Sequence, residues 1–349
     1  MKKKLFALLA LGAIVLGAAS VGLADTKVKK KAAAAQLLAL LPPSDAVMTV
    51  DGNRLFGEAL PQILSANQPL LADILGKFDE IKTRTGIDFK QFQQIAIGVN
   101  AVKGATESDY RFEPLVLARG QFNAGGLVAV AKIASNGKYR EEKIGDRTVY
   151  VFSAKEIVEQ SRGKIPNTMI AKIVEKVLLG LSDEMAVTAY DANTLALGSL
   201  ARVREALDTK ARVGDDVLSL IARKPNAILN FGARIPPGAA QYLGLDNDEL
   251  GRNVDAIRFL SGSMDVLDGK TSVWLAARTV NAEQAKGLKD MLDGLQAVGK
   301  AVLGNAKSPD KRVYGRMVES AKIAQTGNEV TLDLVVPQAD LDVIVGEKK

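Results

Sequence analysis

The sequence predicts an α+β fold of two tandem split βαβ (ferredoxin-like) units, with mainly antiparallel sheets and helices on one face. Three observations carry this. The block "VTAYDANTLALGSLARVREALD" (187–208) reads as strand, tight turn, strand and helix, and "IAQTGNEVTLDLVVPQADLDVIV" (323–345) reads the same way. The order of elements before each block is also the same. Finally, Leu117-Ala118 and Leu275-Ala276 each stand five residues before an Asn-Ala pair (Asn123-Ala124, Asn281-Ala282), and Asn is a preferred helix N-cap.

The amino end precedes this pattern. Lys2, Lys3 and Lys4 form a positive n-region, residues 5–24 are uncharged and apolar, and Gly22 and Ala24 are small residues suited to signal peptidase. Residues 1–24 are therefore expected to be a secretory signal, with an uncleaved anchor as the alternative, since the run is about as long as a membrane span. Residues 25–44 read as a basic tether and a short Ala/Leu helix stopped by Pro42-Pro43, so the folded body is expected to start near Asp45.

The first repeat, 45–209, opens with the strand "AVMTVDG" (46–52) and a mostly helical stretch to Gly86, broken at Pro69. Strands follow at 94–102 and 113–122, then a helix from Asn123, then strand 143–152 with a Gly-Asp turn, and the first quoted block. Residues 210–225 form a linker helix. The second repeat, 226–345, runs in the same order: strand 226–233, a helix from Ile235 to Leu250, strands 256–267 and 270–280, a long helix from Asn281 to about Leu303, strand-like "KRVYGRMV" (311–318), and the second block. The offset is 158 at the two Asn-Ala pairs and 135 at Asn193 and Asn328, so the first repeat holds 23 extra residues, assigned to a helical insert at 153–182.

In "TSVWLAARTV", Val273, Leu275 and Ala277 point to one face, and Ser272, Trp274, Ala276 and Arg278 to the other. Both faces carry apolar groups, so the two sheets are expected to bury their second faces against each other or, as the alternative, to leave one face open to bind something. Trp274 is read as a core residue before a ligand platform.

Charge argues against nucleic acid. Of 46 Lys and Arg, seven precede residue 32, against one of 40 Asp and Glu, which leaves 39 of each in the body and no basic footprint for phosphate. Lys27 to Lys31 reads as a solvated tail with at most a weak contact to an anionic membrane surface. The chain has no Cys and no His, which excludes disulfides, Ser-His-Asp and Cys-His catalysis, and ordinary zinc sites. No phosphate-cradling glycine loop occurs, and no cofactor is expected.

The remaining candidates are sparse. Ser161-x-x-Lys164 and Ser308-x-x-Lys311 are formally Ser-Lys pairs, but neither sits in a strand-to-helix elbow. Asp246, Asp248 and Gly251 match positions 1, 3 and 6 of a calcium loop, but Leu250 and Ile257 occupy positions 5 and 12, where ligands are needed. Asp183-Glu184 and Asp215-Asp216 read as helix starts or solvated turns.

The blocks "LPPSDAVMTVD", "TRTGIDFKQFQQIAIGV", "ARGQFNAGGLVA", "NGKYREEKIGDRTVYVF" and "DANTLALGSLARVREALD" occur in this order. On them the chain resembles a group of uncharacterised secreted bacterial proteins, chiefly acidobacterial, with no assigned activity. The resemblance implies export and this block order, and it transfers no functional residue. The expectation is a non-catalytic secreted or cell-envelope protein, periplasmic or extracellular, binding a protein, peptide or lipid through a sheet face or the interdomain groove. The alternative is a hydrolase using carboxylates or a Ser-Lys pair.

Overall fold

In the computed structural model the described residues are 36–85, 88–103, 110–135, 137–153, 184–208, 210–238, 240, 249–304 and 306–346. The expected signal, most of the tether and the expected insert at 153–182, apart from Ser153, lie outside them. The protein is α+β, with antiparallel sheet and helices, and divides into two compact units. Among described residues the first comprises 36–44 and 76–213, and the second 45–75 and 214–346.

The first unit holds β2 (Phe92–Lys103), β3 (Tyr110–Gly120), β4 (Arg140–Ile144), β5 (Arg147–Ser153), β6 (Glu184–Asp191) and β7 (Thr194–Ser199), ordered β2-β3-β7-β6-β5-β4. The second holds β1 (Ala46–Asp51), β8 (Leu229–Arg234), β9 (Ile257–Leu267), β10 (Lys270–Thr279), β11 (Lys322–Thr326) and β12 (Glu329–Pro337), ordered β11-β12-β10-β9-β8-β1. In both, a hairpin (β2-β3 or β9-β10) is followed at once by an Asn-capped helix, and a later hairpin (β6-β7 or β11-β12) docks its second strand on the first hairpin. The helices are α4 (Ala124–Ala134) and α8 (Ala282–Leu303). The closing helices α5 (Leu200–Asp208) and α10 (Gln338–Val345) come next.

This order corrects the split βαβ expectation. That arrangement needs a parallel strand pair, whereas every described pair within the units is antiparallel. Hairpin connections win because consecutive strands join through tight turns. Gly145 (φ 56) closes β4-β5, and Asp268 (φ 50) with Gly269 (φ 70) closes β9-β10 in the manner of a type I′ turn.

The boundary also differs from the expected 45–209. Strand β1 pairs antiparallel with β8, from Ala46↔Ala233 to Val50↔Leu229. It is followed in the second unit by α1 (Gly52–Arg54), a π-helical turn (Leu55–Ala59) and α2 (Leu60–Ile63). The chain crosses to the first unit within α3 (Gln68–Thr85), which begins one residue before Pro69, a residue favoured in a first turn.

The folded body starts before Asp45. Leu37 and Leu41 are 0% exposed in the first unit, Val213 N–H donates to Leu41 O at 3.3 Å, and Gln36 accepts from Arg119. A Cβ on Gly98 would lie 2.5 Å from Ser44 Oγ, so only glycine lets this segment approach β2 so closely.

Helices occupy both faces of each sheet, not one. Val128 of α4 packs on Phe152 and Val187, whereas Ser44, bonded to Arg202 of α5, stands over Gly98. Gly98, Leu115, Gly198 and Ala186 lie in register on that second face. In the second unit α8 packs on Ala277 and Val330, while α6 (Asp215–Ile221), inside the expected linker helix 210–225, lies over Gly232 on the Ala276 side. Consequently the Leu-Ala match does not preserve the pleat. Ala118, paired with Leu195, is on the α4 side, and Ala276 points away from α8.

Two local expectations also change. "KRVYGRMV" is helical within α9 (Pro309–Ser320): Pro309 starts it, Val313 is buried, and Gly315 admits Leu303 O to 3.2 Å of where a Cβ would be. Its alternating residues imitate a strand, but packing on α8 decides. Pro236 precedes a turn that includes Pro237, rather than both prolines opening a helix, and the described helix α7 is Glu249–Asp255.

Candidate binding face

The second unit presents a sheet face on which α6 covers Gly232 while β10 and β12 carry Trp274 and its neighbours. Asp215 and Asp216 occupy the first turn of α6, where acids favour the helix dipole, as expected. Asp216 pairs with Arg234 at 2.6 Å, and this bond holds its carboxyl below the usual range. Val217, Leu220 and Ile221 are buried, which fixes the helix and places Arg223 and Lys224 just past its C-terminus, where the dipole favours cations.

Trp274, half-buried, lies opposite Ser263 on β9 and Asp333 on β12. The Arg223 guanidinium carbon and Lys224 Nζ each lie 5.6 Å from its ring centroid, within cation–π range. Arg223 is oriented by a two-pronged bond to Glu329, both contacts at 2.8 Å. Arg278 reaches the same carboxylate at 3.5 Å and stacks over Phe259 at 5.6 Å. The bond from Arg223 lowers the Glu329 pKa, against an opposing desolvation effect. Beside this cluster Ser272 and Asp333 are exposed, and Val335 is 47% exposed. The arrangement sets a half-buried aromatic ring beside two cations, one of them oriented by Glu329.

A separate shallow depression of about 300 Å³ in the first unit is lined by Gly125, Val128, Arg147, Thr148, Tyr150 and Thr188, among others. Its polar groups serve the fold: Thr188 Oγ1 donates to Thr148 O at 2.8 Å, and Arg147 Nε donates to Tyr190 O at 3.0 Å.

The sequence candidates do not assemble into one site. Ser161, Lys164, Asp183, Asp246 and Asp248 lie outside the described residues. Ser308 is the N-cap of α9 and Lys311 is exposed on its first turn, with no described hydrogen bond between them. Gly251 and Leu250 lie in α7, a helix and not a calcium loop. Glu184 opens β6 and pairs with Arg140 at 2.9 Å, rather than opening a helix. Among described carboxylates with a resolved shift, Asp88, Glu142, Asp216 and Glu329 are all lowered. No group of three acids among the described residues is placed to hold a metal ion. No described helix is long and apolar enough to cross a membrane, which leaves β-barrels unaddressed.

Sequence reasoning put Arg278 on the Trp274 face of its strand and missed Arg223, Lys224 and Glu329. These three are ordinary surface charges in the sequence, and only the register Arg278↔Glu329 and the packing of α6 bring them to Trp274.

No family model matches the chain, and no curated protein matches it. Among solved structures it is similar to crystal form III of TP0453, at 9% identity over 88% of this chain and 96% of that one, with a TM-score of 0.44. Form IV gives 10% identity, 89% and 96% coverage and 0.42; form I gives 10%, 88% and 95%, and 0.40.

Proposed function

We propose that the protein is an exported, non-catalytic component of the cell envelope or its surroundings, and that it binds a protein, peptide or lipid through the Trp274 face. The observation that carries this reading is the half-buried Trp274 ring set against Arg223 and Lys224. A buried tryptophan is ordinary core. One that is partly open and held beside cations fixed by Glu329 and a helix C-terminus is preorganised for a partner that joins an apolar group to an acid. Three cations (Arg223, Lys224 and Arg278) stand against two carboxylates (Glu329 and Asp333), so one positive charge remains in excess around the ring.

Trp274 is the only tryptophan, so its emission reports on this face alone. The mature protein is titrated with acidic peptides bearing one aromatic residue and, separately, with anionic and neutral lipid vesicles. A saturable emission shift that weakens in Lys224→Ala supports the proposal. Unmoved emission with every probe overturns it, as does turnover of ester, peptide, phosphate or glycoside substrates abolished by a single Ser, Lys, Asp or Glu substitution.

A further inference from the structure

Strand β11 ends its sheet. It pairs with β12 from Lys322↔Asp333 to Thr326↔Glu329 and, among described residues, with no strand on its other side. Gly327 and Asn328 form a two-residue turn, so Thr326 and Glu329 are a hydrogen-bonded pair. By the alternation of an antiparallel ladder, Lys322, Ala324 and Thr326 turn their backbone groups to β12, and Ile323 and Gln325 turn theirs outward.

Such an edge is open to another strand unless something blocks it. At the end of the first unit's sheet, β4 carries Arg140, Glu141, Glu142 and Lys143 among its five residues. By contrast β11, also five residues, has Lys322 as its one charge, no proline, and an unbroken register. The Gln325 side chain is held on the helix side by Ala282 O and Gly327 O, which leaves the outward backbone clear of it.

We propose that β11 pairs antiparallel with β11 of a second copy, about a two-fold axis at Ala324. The strand fits itself in this register. Ile323 exchanges backbone bonds with the partner subunit's Gln325, and Gln325 with the partner subunit's Ile323, about four bonds in all. Ala324 meets the partner subunit's Ala324 at a non-hydrogen-bonded position, where Cα atoms approach to about 4.5 Å and a small side chain suits the gap. Lys322 stands opposite the partner subunit's Thr326, so no like charges are opposed. The contact is isologous and closes as a dimer. With so few bonds it is small and concentration-dependent.

The inference stands on the edge backbone and is independent of the Trp274 reading. Sedimentation of the mature protein from about 10 μM to 1 mM should show a monomer–dimer equilibrium. Ala324 is exposed, so A324K and A324D should keep the wild-type circular dichroism and melting temperature. Each alone should be monomeric through like-charge opposition at the axis, and an equimolar mixture should recover the dimer. A wild-type protein monomeric throughout, a dimer that both variants retain, or a mixture that stays monomeric would overturn it.

Discussion

Arg202 Nη2 donates to Ser44 Oγ at 2.7 Å across 158 residues of sequence, and to Pro43 O at 2.7 Å, with the arginine 1% exposed. Its Nη1 also pairs with Glu205. A buried guanidinium is costly unless its donors are bonded, and here the segment before Asp45 supplies two of the acceptors.

That segment is therefore part of the first unit's core. A chain beginning at Asp45 should be destabilised severely, because it loses Leu37 and Leu41, for which Leu→Ala alone should cost about 2–5 kcal/mol each. Arg202→Ala should cost about 3 kcal/mol in urea unfolding. Its effect should be strongly non-additive with Ser44→Ala, since the two share a bond. Additive losses would show that the contact does not couple them.

Asn123 Oδ1 accepts from Gly126 N at 3.0 Å, and Asn281 Oδ1 from Gln284 N at 2.9 Å. Each Asn→Ala change should cost about 1 kcal/mol, and each Asn→Gly a few tenths. The pair share no partner, so chemical denaturation of the double variant should give their sum.

Glu142 accepts from Arg204 at 2.6 and 2.7 Å and from Arg140 at 2.9 Å, and the bond from Arg204, ahead of that from Arg140, holds its carboxyl at about 2. A lowered folded-state pKa gives stability that is complete above the unfolded value of 4.5 and is lost as pH falls through about 2. The urea midpoint should fall across that window. Glu142→Gln should start lower at pH 7 and converge with the wild type near pH 2. Parallel curves would remove Glu142 from the acid response.

Gly22 and Ala24 end the amino-terminal apolar run, so the exported protein should begin at Asp25, as intact-mass measurement on protein from the native host would show. A membrane-bound species keeping residues 1–24 would indicate an anchor.

What could be read in advance followed local chemistry. The tight turns at Gly145 and Asp268-Gly269, and the caps at Asn123 and Asn281, lie where turn and cap residues place them. Alternating apolar residues likewise gave β2, β3, β9 and β10 nearly to their ends. "KRVYGRMV" misled because alternation is only half an argument: Val313 and Gly315 serve a helix once α8 is beside them.

The candidate site was legible at Trp274 and Arg278, which alternation puts on one face of a two-faced strand. Its cations come from β10 and from the end of α6, and its carboxylate from the start of β12. Arg223, Lys224 and Glu329 are not marked in sequence, because an Arg that will stack on a ring looks like any solvated Arg.

The sequence alone determined the α+β class, the absence of His and Cys chemistry, the neutral body and most element positions, since composition, turn residues and side-chain period act over a few residues. Tertiary structure decided what pairs with what: β1 with β8, β7 on β3 and β12 on β10 antiparallel, residues 36–44 in the core, and Arg223 against Trp274. Those choices depend on which faces bury together across more than a hundred residues, and a local pattern of residues carries no record of its distant partner.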